Sequence, residues 1–408
     1  MYGETQTRIN EKNATAALAC GVYFNDIALA DISLEFIISN LDSTNVLDYF
    51  HLADSFDYGL HTRAIQDACL SFICSHDPDN LVSIFSHASH GLIEKVVSSD
   101  SLCVRGEFER YRLITQILDE LTDCSNDTDE KYDQTVPDLR SSDHSADQRI
   151  GNHKRAMKIL ENSVIYANLS FEELKIVQKE GRVSSQTLMS ALWNQRQQEH
   201  DIKNFNSNKK DVWPEALLKS PSHKLFVPPM SDTDRMNNKD IADHILCPPV
   251  HQHQALETRP PFRFQVEFQN LHQVGDRVYS ELFWHAGSHW RMYLQMPMQR
   301  TEDKIGLYLQ RIMTGGSIDA NGGSSNSSRT SERYTDPRPA VSVWFRMFLF
   351  VSHTNCYLLE SCPDTFKDNQ SWGWQCQTLH RELLGRQGLG GRPSLKVSVI
   401  LGVLDAPN

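Results

Sequence analysis

The hydrophobic period of this chain changes at Pro261. Upstream, apolar residues recur every three or four positions; downstream, they alternate with polar ones. Phe262, Phe264, Val266 and Phe268 are interleaved with Arg263, Gln265, Glu267 and Gln269, the period of a strand with one buried face. The alternation returns in Trp290, Met292 and Leu294, in Ile305, Leu307 and Leu309, in Val341, Val343, Phe345 and Met347, and in Leu395, Val397, Val399 and Leu401. Separated by Gly, Ser and Asn turns, these segments predict an antiparallel β-sandwich over residues 261–408. The whole is an α+β multidomain chain: an N-terminal all-α bundle followed by a C-terminal antiparallel β-sandwich.

The helical half divides further. Val46, Leu47, Phe50 and Ala53 recur at helical spacing, and Leu60, Ala64, Ala68 and Phe72 line one side of the next segment. Asp77-Pro78-Asp79 places proline at an early helical position and opens another helix. Glu107 to Leu121 carries Phe108, Tyr111, Ile114, Ile117 and Leu118 as a broad apolar stripe. The acids then crowd from Asp119 to Asp147 with few bases, and hydrophobics nearly vanish. The central glycine and spacing of an EF-hand are missing, so residues 122–150 are expected to be a disordered acidic insertion. Ser170 and Glu173 form a capping-box pattern. Prolines interrupt 206–260, which predicts a linker. The Gly/Ser/Asn-rich run 314–333 predicts a flexible hairpin insertion. The domains expected are therefore 1–76, 77–205 and 261–408.

Charge and motifs narrow the function. With 40 Lys+Arg against 52 Asp+Glu the net charge is −12, which disfavours nucleic acid as a partner. The most apolar run, Val341 to Val351, is broken by Arg346 and too short for a bilayer. The start of the chain lacks a basic region followed by an apolar one. A soluble protein of the cytoplasm, the nucleus or both is expected, with no membrane partner. The 9 cysteines contain no CxxC pair, which argues against a disulfide framework and a zinc ribbon. Cys247, His244, His251 and His253 lack zinc-site spacing, and His285 and His289 flank a strand turn and read as structural, so no metal is expected. There is no phosphate-binding glycine loop, dinucleotide fingerprint, GxSxG elbow or HExxH helix. The expectation is a noncatalytic protein without a cofactor. Tryptophans concentrated in the strand half suit a recognition groove or a core.

Short motifs add a resemblance. Asn45-Val46-Leu47-Asp48-Tyr49-Phe50-His51-Leu52-Ala53-Asp54 followed by Cys69-Leu70-Ser71-Phe72-Ile73 resembles the closing helices of a BTB/POZ domain. Ser98-Ser99-Asp100-Ser101-Leu102-Cys103-Val104 and Glu107-Phe108-Glu109-Arg110-Tyr111 resemble a BACK domain, and Leu188 to Trp193 is similar to fungal relatives of the germ cell-less group. Trp290-Arg291-Met292-Tyr293-Leu294, Ile305 to Leu309 and Ser371-Trp372-Gly373-Trp374 resemble a MATH or TRAF-type sandwich. The first half of the BTB fold is not matched, and residues 16–39 are expected to supply only its late strand and helix region. Dimerisation is expected only where that half is present. The resemblance implies an adaptor that brings a substrate protein to a cullin-RING ubiquitin ligase, with a ligase-independent scaffold or transcription-associated protein as the alternative. It places a cullin contact near Tyr49, Asp54 and Tyr58, and a recognition face at Tyr293, Tyr308, Trp372 and Trp374.

Overall fold

The computed structural model describes residues 9–85, 88–127, 157–204, 260–269, 271, 277–296, 304–313, 334–350, 356–361, 364–376 and 394–404, with side chains of 122–127 left aside. The linker, the 314–333 insertion and the acidic run beyond Asp127 lie outside them, as do His244, Cys247, His251 and His253.

The N-terminal region is helical. It comprises α1 (Ala14–Tyr23), α2 (Ile27–Ser39), α3 (Val46–Ser55), α4 (Leu60–Ser75), α5 (Pro78–Phe85), α6 (His90–Ser98), α7 (Glu107–Asp127), α8 (157–163), a short 3-10 turn (Tyr166–Asn168), α9 (Phe171–Glu180) and α10 (Ser185–Lys203). Two expectations are corrected. Residues 16–39 hold no strand; the Ala-rich α1 and the Asp26-capped α2 are both helical. The acidic run also begins inside a helix. Arg182 grips Asp119 through two bonds of 2.6 and 2.9 Å, which ties this part of α7 to the α9–α10 connection. The capping box at Ser170 and Glu173 is formed.

The C-terminal region is antiparallel throughout. Its strands are β1 (Phe262–Phe268), β2 (Arg277–Tyr279), β3 (Phe283–His285), β4 (Ser288–Gln295), β5 (Ile305–Ile312), β6 (Ala340–Phe350), β7 (Cys356–Glu360), β8 (Asp364–Lys367), β9 (Ser371–Cys376) and β10 (Leu395–Leu404). The first sheet has the order β1-β10-β6-β7, with β8 also on β6; the second has β2-β4-β5-β9, with β3 on β4. Their facing sides share one core. Trp290 meets Phe366 at 5.4 Å, Phe345 meets Trp374 at 5.2 Å, and Phe264 meets Phe283 at 4.3 Å.

The opposite face of the first sheet is also covered. Trp344, Phe348, Phe350, Leu358, Ile400 and Leu404 join the apolar core of the helices. This explains the apolar run Val341 to Phe350: both faces of β6 are buried, so alternation gives way to continuous hydrophobicity.

Polar contacts fix the junction between helices and sheet. The buried Arg263 of β1 meets Glu107 side-on, Nε to Oε1 at 2.7 Å and Nη2 to Oε2 at 3.0 Å. It also reaches Asp100 at 3.2 Å and the Ser163 carbonyl at 3.0 Å. Glu107 further accepts from the Ile165 N–H at 2.8 Å. Burial alone would push the Glu107 carboxyl up, but Arg263 and Arg110 outweigh it and hold the group below the usual carboxylate range. At the rim Lys396 pairs with Asp77 at 2.6 Å, Ser398 donates to the Asp100 carbonyl at 2.9 Å, and Asn168 donates to the Pro261 carbonyl at 2.7 Å.

Candidate protein-binding face

The outward side of the second sheet groups aromatic and cationic side chains. Successive residues of a strand point to opposite faces, so the register sorts these strands. In β5, Ile305, Leu307 and Leu309 face the core, while Tyr308 and Gln310 face out. Tyr293 lies opposite Tyr308 on β4, and Tyr279 lies opposite Tyr293 on β2. The three tyrosines thus form a cross-strand ladder, with ring centroids 5.4 Å apart for Tyr279–Tyr293 and 4.9 Å for Tyr293–Tyr308.

Two arginines lie on this ladder. The Arg291 guanidinium stands 4.1 Å from the Tyr279 ring centre, and that of Arg277 stands 5.2 Å from Tyr293, both within cation–π range. Arg291 also donates to Gln310 at 2.8 Å. A hydrogen bond to Tyr279 raises the pKa of Arg277 above its ordinary value. The ring of Tyr308 lies so close over Gly306 that a Cβ there would collide with it. Tyr279 is 45% exposed, Tyr308 half-buried, and Tyr293 buried with its hydroxyl 2.8 Å from Ser371 Oγ. The face can stack on flat or apolar groups and attract negative charge.

The four residues expected here divide evenly. Tyr293 and Tyr308 share the outward face. Trp372 and Trp374 do not: their partners across β5 are Leu309 and Leu307, which puts both indoles on the core side. Trp374 is buried, and the half-buried Trp372 packs on the same core while donating to the Thr365 carbonyl at 3.0 Å. The outward residues of that segment are Ser371 and Gly373. Tyr279 and Arg277 carry no strand signal in the sequence because β2 is only three residues long, too short to display a period. Arg291 lies in the recognisable β4, but its approach to Tyr279 depends on the pairing with β2.

The other expected contact residues lie in the helices. Tyr49 is buried in the helical core, Tyr58 is half-buried beside it, and Asp54 is exposed at the end of α3. Exposed apolar residues stand at the nearby helix ends: Tyr23 and Phe24 after α1, Phe56 and Leu60 around the α3–α4 turn. No sequence signal separated them from core residues of the same helices. His285 is buried and stacked on Phe262 at 4.8 Å, whereas His289 lies opposite Trp284 on the other side of the sheet. The two imidazoles therefore cannot share a ligand. Among the described residues no three His, Cys, Asp or Glu side chains gather as a metal site, and no helix is long and apolar enough to cross a membrane.

No protein-family model matches the chain, and no curated protein matches it by sequence.

Proposed function

We propose that this chain is a noncatalytic protein-binding adaptor that holds a substrate protein on the tyrosine–arginine face and presents it to a cullin-RING ubiquitin ligase. The observation that carries the reading is the unequal fate of the two outer sheet faces: helices cover one, while on the other Tyr279 is exposed and Tyr308 half-buried around the buried Tyr293. In this reading the helices correspond to a BTB remnant and a BACK domain, and the sheets to a MATH or TRAF-like sandwich. Such sandwiches take up extended peptides, which agrees with Tyr308 and Gly373 lying side by side across β5 and β9. A cullin contact would be centred on Asp54 and Tyr58, since Tyr49 is occupied by packing.

The burial of Tyr49 favours a second reading, a ligase-independent scaffold that uses the same capture face. Affinity capture of the full chain from cells, analysed by mass spectrometry beside a Tyr308→Arg variant, separates the two. The adaptor reading expects cullin with both proteins and a set of substrates with the unaltered chain only. Substrates without cullin would favour the scaffold, and identical protein sets from both chains would exclude the face.

A further inference from the structure

The outward positions of β2, β4, β5 and β9 contain no carboxylate, in a chain where acids outnumber bases 52 to 40. Their full charges are Arg277 and Arg291. Neither forms an ion pair among the described residues, and each guanidinium is laid on a tyrosine ring instead. The register fixes their spacing. Arg277 lies opposite Gln295, four residues along β4 from Arg291, which is about 13 Å at roughly 3.3 Å per residue. Between them sits Tyr293, flanked by Tyr279 and Tyr308.

We infer that the face selects an extended protein segment with acidic side chains at positions i and i+4 and an apolar side chain at i+2. In an extended chain these three side chains point the same way, and their backbone span matches that between the register positions of the two arginines, whose long side chains lean toward the tyrosines between them. The carboxylates would each meet one guanidinium, whose fork of donors suits them, while the middle side chain packs on the accessible parts of Tyr279 and Tyr308. This inference rests on the capture reading above and adds the class of ligand.

The test uses the full chain and a fluorescein-labelled peptide, Gly-Ser-Glu-Ser-Val-Ser-Glu-Ser-Gly, beside the same peptide with both glutamates replaced by glutamine. The expected result is binding of the glutamate peptide about tenfold more tightly, in line with two charge-assisted contacts at a solvated surface, and weakening as salt rises. The Arg277→Gln and Arg291→Gln variants, checked for an unchanged melting temperature, should each lose part of that preference and the double variant all of it. Equal binding of both peptides would overturn the acidic preference and leave the capture reading standing. Binding of neither peptide would also overturn it, and the Tyr308→Arg comparison would then decide the capture reading on its own.

Discussion

The two sheets are built from the same residue types and differ in what their outer faces meet. On the first sheet, Trp344, Phe348 and Ile400 point into the helices and the charged Arg263 is fully paired. On the second, tyrosines and arginines stack on one another, with Tyr279 exposed and Tyr308 half-buried. A strand buried on both sides needs apolar residues at every position and a partner for each charge. A strand open on one side keeps its alternation. The chain therefore uses the outer face of one sheet to join its halves, and the proposed capture site lies on the outer face of the other.

Substitutions can break this comparison at graded cost. Arg263→Ala should have the largest effect, a loss of about 3–5 kcal/mol in urea unfolding, because Glu107 and Asp100 lose their buried counter-charge. Replacing Arg263 and Glu107 together by methionine should recover most of it. Phe348→Ala, on the helix side of β6, should cost about as much as Phe345→Ala on the inner side, each in the range of about 3–5 kcal/mol. A near-neutral Phe348→Ala would mean that the helices do not cover this face.

Acid sharpens the same point. The carboxyl of Glu107 titrates lower in the folded chain than in the unfolded one. Its contribution is thus complete above the unfolded value of about 4.3, and it is lost as pH falls from there through the folded value. Unfolding measured across this window should show a slope that is reduced in Glu107→Gln. The smallest effect belongs to the open face, where Tyr279→Ser should change stability by less than about 1 kcal/mol while weakening peptide capture.

How much of this could be read from sequence follows from the same physics. The change of period at Pro261 marks the start of β1, and the alternation in β4 and β5 puts Tyr293 and Tyr308 on the side away from Met292, Leu294, Leu307 and Leu309. The alternation in β6 and β10 predicts one buried face each, yet nearly all their residues are buried; what covers the second face is set by distant parts of the chain. For Trp372 and Trp374 the sequence leaves groove and core both open, because their side of the sheet depends on pairing with Leu309 and Leu307, where a shift of one residue exchanges the faces. The Arg263–Glu107 contact joins residues far apart in the chain and has no local signature.

Side-chain oxidation footprinting of the intact protein tests the central contrast most directly. The account predicts that Trp344 and Phe348 are protected while Tyr279 and Tyr308 are labelled. Equal labelling of the two groups, or protection of the tyrosines with exposure of Trp344, would contradict it.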